Sequence, residues 1–138
     1  MPAKDIYHEP VKKALINEGW RIIADPFIIK YEDAELYADL AAEQIIAAEF
    51  QGKRIVVEIK SFLGKSPMTD FHHALGQYIV YRNLLHLTDP DYQIFLAIDH
   101  ITYKELFQRP SIQVIINQNH LNLLIVNMSQ EKIKQWIP

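Results

Sequence analysis

Residues 54–62, Arg-Ile-Val-Val-Glu-Ile-Lys-Ser-Phe, constrain this chain more than any other stretch. The run is rich in β-branched residues, follows a turn at Gly52 and predicts a buried strand. Within it stand Glu58 and Lys60. Side chains two apart on a strand share a face, so both heads project together while Val57 and Ile59 face the other way. A carboxylate or an ammonium is costly to bury unless it is partnered. On residue type alone, Glu-x-Lys reads as an ordinary surface pair on an exposed sheet face. A functional pair requires further acid nearby.

The preceding chain supplies candidates. Ile6, Val11, Ala14 and Leu15 give the apolar face of a first helix that ends at Gly19. Asp5 suits its cap, but Pro10 is awkward inside it, so a start at His8 is the alternative. Residues 20–24 and 27–31 read as extended pieces on either side of an Asp25-Pro26 turn, and residues 32–35 as an acidic loop. A short strand over 36–40 carries Asp39 near its end. A hairpin centred near Gly52 pairs residues 45–50 with the central strand, setting Ile46 opposite Glu58 and Gln44 opposite Lys60. Residues 41–44, Glu43 among them, must then bulge or turn to return Asp39 to Glu58.

After residue 62, Gly64-Lys65 breaks the strand and Ser66-Pro67 opens a helix running to about His86, with Ser66 as N-cap and Asp70 in its first turn. At 100° per residue Phe71, Leu75, Tyr78, Ile79 and Arg82 fall on one side, with Asp70, Gln77 and Tyr81 on a neighbouring polar stripe. Beyond it the pattern predicts a strand over 92–98, helices over 102–107 and 110–118, a strand over 121–127, a turn at 128–130 and a last strand over 132–137. The whole is a mixed α/β (α+β) domain with a central sheet flanked by helices.

At 138 residues the chain is expected to form one domain, 1–138, with a real core. With no cysteine, disulfides and thiolate metal sites are excluded, which suits a cytoplasmic protein. No apolar run approaches the roughly 20 residues of a membrane span, and none resembles a signal peptide. A net charge of -3 argues against binding nucleic acid by bulk phosphate neutralisation, so any DNA contact must be local, metal-assisted or shared with a partner. His72 and His73 point about 100° apart on a helix and make a poor metal pair. His8, His86, His100 and His120 show no ligand spacing, and four glycines leave little material for a phosphate loop.

Asp39, Glu58 and Lys60, with Gln77 and Tyr81 on the following helix, resemble the restriction-endonuclease-like PD-(D/E)XK nuclease core, and the Gln-x-x-x-Tyr spacing is similar to that of its RecB-type members. More closely, and over essentially its full length, the chain resembles the XisH family, the fdxN-element excision controlling factors of cyanobacteria. Residues 4–8, 14–20, 57–62, 74–81 (Ala-Leu-Gly-Gln-Tyr-Ile-Val-Tyr) and the closing Trp136-Ile137 carry that resemblance.

The resemblance implies a role in developmentally controlled excision of a DNA element during heterocyst development, alongside a site-specific recombinase and an XisI-type controlling factor. It also implies Mg²⁺ or Mn²⁺ held by Asp39, Glu58 and the carbonyl of Ile59, with Glu9 as an extra acid from the first helix. Lys60 would orient or deprotonate the attacking water, and Gln77 and Tyr81 would back the site. Ala38 stands where the nuclease pattern has proline. By analogy, so small a domain acting on both strands of DNA would work as a homo-oligomer. A non-enzymatic regulator on the same fold, acting through a protein partner, is the alternative.

Overall fold

The computed structural model describes residues 6–32 and 45–138. Asp5, Asp39 and Glu43 lie outside them, as do the strand expected over 36–40 and the bend over 41–44.

Among the described residues the elements run α1 (His8–Asn17), β1 (Arg21–Ala24), β2 (Ile45–Phe50), β3 (Lys53–Ile59) and α2 (Pro67–Thr88). They continue with β4 (Tyr92–Asp99), α3 (His100–Glu105), α4 (Pro110–Gln118), β5 (Leu123–Asn127) and β6 (Lys132–Ile137). The strands form one six-stranded sheet in chain order. β1, β2 and β3 pair antiparallel, β3, β4 and β5 parallel, and β5 and β6 antiparallel. A parallel neighbour needs a long crossover, and α2 supplies it between β3 and β4.

The alternation of each strand divides the core into two layers. Ile45, Ala47, Val56, Leu96 and Ile98 pack against α2 and α4, while Ile46, Ala48, Val57, Ile59 and Ala97 pack against α1. The central strands are buried on both faces, which explains their near-continuous apolar runs. No helix among the described residues is long and apolar enough to cross a membrane.

Several boundaries differ from expectation for local reasons. The β2–β3 hairpin turns on two residues, Gln51 at φ 52° and Gly52 at φ 80°. Positive φ at both central positions is the type I′ geometry that matches strand twist. Phe50 therefore pairs with Lys53, and Ile45, not Ile46, stands opposite Glu58. Residues 27–31 form no strand, although Phe27 N–H reaches the carbonyl of Ile45 at 2.9 Å. The first helix starts at His8, and Pro10 is tolerated because first-turn N–H groups have no intrahelical partner anyway. α3 begins at His100 rather than 102, because the Asp99 side chain caps it by accepting from Ile101 N–H at 3.2 Å.

α2 opens as expected, with Ser66 Oγ accepting from Thr69 N–H at 3.2 Å and proline in the first turn. Tyr81 departs from expectation. It sits in the core with Phe71, Ala74, Tyr78 and Leu85, not on a polar stripe. A helix lying across a sheet buries a wide arc, and a tyrosine ring is mostly hydrocarbon.

Candidate functional site

Glu58 is the penultimate residue of β3. Alternation turns it away from the α1 layer and toward α2, between Ile45 of β2 and Leu96 of β4. The surface-pair reading fails here. Glu58 is 2% exposed, and neither Oε1 nor Oε2 has a hydrogen-bond partner among the described residues. Burial drives its pKa well above the usual carboxylate range, and the charge of Lys60 opposes this more weakly. Tyr78 of α2 is close enough to feel the Glu58 charge, and its own phenol is raised chiefly by burial.

Lys60 follows β3, half-buried, and its N–H donates to the carbonyl of Ala97 at 3.2 Å. Ile59 buries its side chain in the α1 layer. Gln77 is half-buried on α2, and Tyr81 is fully inside the α2 layer. Glu9 stands exposed on α1, the helix that packs on the sheet face opposite Glu58. Glu58, Lys60 and the Gln77–Tyr81 stretch of helix thus share one side of the sheet, and Glu9 starts from the other.

The rotation of α2 about its axis is set by a polar lock. Tyr78 Oη donates to the carbonyl of Ile94 at 3.2 Å and accepts from Asn122 N–H at 3.0 Å. Asn122 Nδ2 donates to the same carbonyl at 3.1 Å. One turn on, the Arg82 guanidinium lies 5.3 Å from the Tyr78 ring centroid and donates to the carbonyls of Asn119 and His120 at the end of α4. A cation there suits the exposed carbonyls of a helix C-terminus.

Two acidic residues escaped the sequence reading. Asp25, read only as part of a turn, receives Lys12 Nζ at 2.8 Å and lies 2.7 Å from Nε2 of His8, which is 1% exposed. The His8 contact is close but not aligned as a hydrogen bond. Burial works to raise the Asp25 pKa, yet Lys12 and His8 together hold it below the usual value. The available signal was His8 falling on the same helix face as Val11 and Leu15. Asp99 also accepts from Met128 N–H at 3.2 Å, tying the end of β4 to the β5–β6 turn. Among the described residues, no three histidines, cysteines or acids gather closely enough to hold a metal by themselves.

A groove of about 490 Å³ lies elsewhere. Trp20, Phe50, Ile55, Phe95 and Trp136 line it on the α1 side, at the opposite end of β3 from Glu58. Tilted and edge-to-face ring contacts of 5.1–5.5 Å hold these aromatics together.

The family model described as XisH protein matches residues 1–134. The chain belongs to the XisH family. Its fold is similar to that of an XisH family protein from Nostoc punctiforme PCC 73102, at 39% identity and a TM-score of 0.87. That match covers 97% of this chain and 100% of the other. A protein from Anabaena variabilis described as an fdxN element excision controlling factor is 40% identical with a TM-score of 0.86, over 97% and 99% of the two chains. No curated protein matches. The 57–62 and 74–81 segments lie at the end of β3, which carries Glu58, and in the middle of α2, which packs on that face of the sheet.

Proposed function

We propose that this XisH-family chain is a controlling factor for excision of a DNA element, with a nuclease-derived site for phosphodiester chemistry at Glu58 and Lys60. The observation that carries the reading is a carboxyl group with both oxygens buried and without a hydrogen-bond partner among the described residues, beside a lysine at a strand end. A buried acid without a partner is expensive, and such costs gather at functional sites. The reading is further supported by the α-β-β-β-α-β order leading to the crossover, and by the description of the Anabaena variabilis relative.

The donor set suits a hard divalent cation, since the free atoms of Glu58 are carboxylate oxygens. Glu58 would hold Mg²⁺ or Mn²⁺ with Asp39 and the carbonyl of Ile59. When bound, the cation supplies a polarised phosphate and an activated water. Lys60, on the same strand face, would orient that water and offset phosphate charge. Tyr81 and Gln77 would brace Lys60 from α2.

Because Glu58, its pKa raised by burial, must be ionised to bind a cation, Mn²⁺ binding is expected to strengthen as pH rises and to be accompanied by proton release. Calorimetry in buffers of different ionisation enthalpy measures this, on wild type and Glu58→Met. Equal Mn²⁺ affinity in the two proteins overturns the site. A second reading, a regulator that acts by binding an XisI-type partner or the recombinase without catalysis, is favoured by how completely Glu58 is sealed. It expects Lys60→Ala to leave excision intact at normal protein levels.

A further inference from the structure

α2 buries one face on the sheet and leaves another uncovered. Thr69, His73, Gly76, Val80, Asn83 and Leu87 are all exposed along it, Leu87 at 61%. Their spacings of four, three, four, three and four residues hold them in one narrow stripe at 100° per residue. That is the seam spacing of a helix that packs against another helix.

Two features set the stripe apart from a solvated helix face. Between Phe71 and Thr88 Arg82 alone carries a formal charge, and its guanidinium is turned to the carbonyls of Asn119 and His120. A helix with a water-facing side is ordinarily charged along that side, whereas one apolar all round is ordinarily buried. Gly76 stands mid-helix without a left-handed backbone that would call for glycine, and a Cβ there would meet nothing within 4 Å. Such a glycine weakens its own helix, and no contact among the described residues accounts for it. Close approach of a second helix does.

The stripe also identifies that helix. Its spacings read the same in both directions, so a second copy of α2 running antiparallel meets it position for position. Thr69 and Gly76, both small, then receive Leu87 and Val80 of the second copy, and His73 meets Asn83, polar against polar. An uncharged face suits two chains that each carry a net charge of -3, because it brings no like charges together.

We propose that α2 pairs with α2 of a second copy of this chain, antiparallel, about a two-fold axis midway between Gly76 and Val80. From Thr69 to Leu87 the contact is about 27 Å long. Burying on the order of 1,000 Å² in total, it falls at the low end of specific interfaces, so the dimer is reversible in the micromolar range. The opposite face of α2 covers Glu58, so the paired helices form a shared layer between two Glu58 sites. The pairing does not depend on metal binding at those sites.

The first test is sedimentation velocity of the full chain from about 1 to 200 µM. Wild type should pass from monomer to dimer across that range. Gly76→Val fills the notch and should weaken association on the order of tenfold. Its unfolding temperature at low concentration should stay at or above the wild-type value, since the space around Gly76 admits a side chain. Adding Val80→Gly to it restores a small residue against a large one and should recover dimerisation. The chain has no cysteine, so introduced ones report the register. With His73→Cys and Asn83→Cys in one chain, mild oxidation should give a covalent dimer, because the two positions face each other across the seam. Either substitution alone should give none, since like positions of the antiparallel pair lie about 15 Å apart along the axis. A chain that stays monomeric throughout overturns the pairing. So does a dimer indifferent to Gly76→Val, which would use another face, and so does a cross-link in either single variant, which would mean a parallel pair.

Discussion

Glu58 shows how far one residue's environment can depart from its chemistry. Its carboxyl is enclosed by Ile45, Leu96 and the underside of α2, with Lys60 as the charge that acts on it. The raised pKa sets a pH dependence. Above the ordinary value of 4.5 the unfolded chain has released this proton while the folded chain still holds it. Unfolding then releases a proton, so stability falls as pH rises toward the folded pKa, and below 4.5 the penalty disappears. Glu58→Met, similar in volume and without charge, should therefore be more stable than wild type at neutral pH by about 1–3 kcal/mol. Urea midpoints across a pH series measure the gap, which should close on acidification. A gap that is constant with pH would show that Glu58 titrates normally in the folded state.

α2 acts as a unit whose position is set by polar bonds and whose adhesion is set by apolar area. Phe71, Ala74, Tyr78 and Leu85 form its buried seam, but hydrophobic contact alone does not choose a rotation to within a few degrees. Tyr78 Oη bridges Ile94 and Asn122, so it joins the helix to the start of β4 and to the chain entering β5. Tyr78→Phe keeps the ring and removes the bridge, leaving the Asn122 N–H without this acceptor. The expected loss is about 1–2 kcal/mol in urea unfolding. If the lock also aims Gln77 and Tyr81, the same variant should weaken Mn²⁺ binding at Glu58, whereas Ser66→Ala, which costs a comparable amount of stability, should not. Equal metal affinity in both variants would reduce the bridge to a stabilising contact.

The two apolar layers share one sheet, which makes the described residues interdependent. β3 and β4 each contribute alternate residues to both layers, so neither layer can open without disturbing the strands of the other. A single cooperative transition follows for the whole chain. Far-ultraviolet circular dichroism, reporting all elements, and the emission of Trp20 and Trp136, reporting the α1 layer alone, should give superimposable urea curves. Separated midpoints would divide the 138 residues into independent units.

The sequence by itself determined the local identities. Ser66-Pro67 announced α2, the β-branched run announced β3, and Gly19 ended α1 in a left-handed cap at φ 98° that glycine adopts without strain. Each rests on residues adjacent in the chain. The XisH relationship was legible in the same way, because it lies in ordered segments. Tertiary structure decided what no neighbour in sequence encodes. A two-residue turn moved the hairpin register by one, and a one-residue change decides which side chain of β2 meets Glu58. The crossover of α2 turned an apparently exposed Glu-x-Lys face into a sealed one and drew Tyr81 into the core. Asp25 found His8 and Lys12 only because α1 folds back over β1. Periodicity says which residues share a face, whereas the cost or use of a charge depends on what is packed above that face, and in this protein α2 supplies the answer.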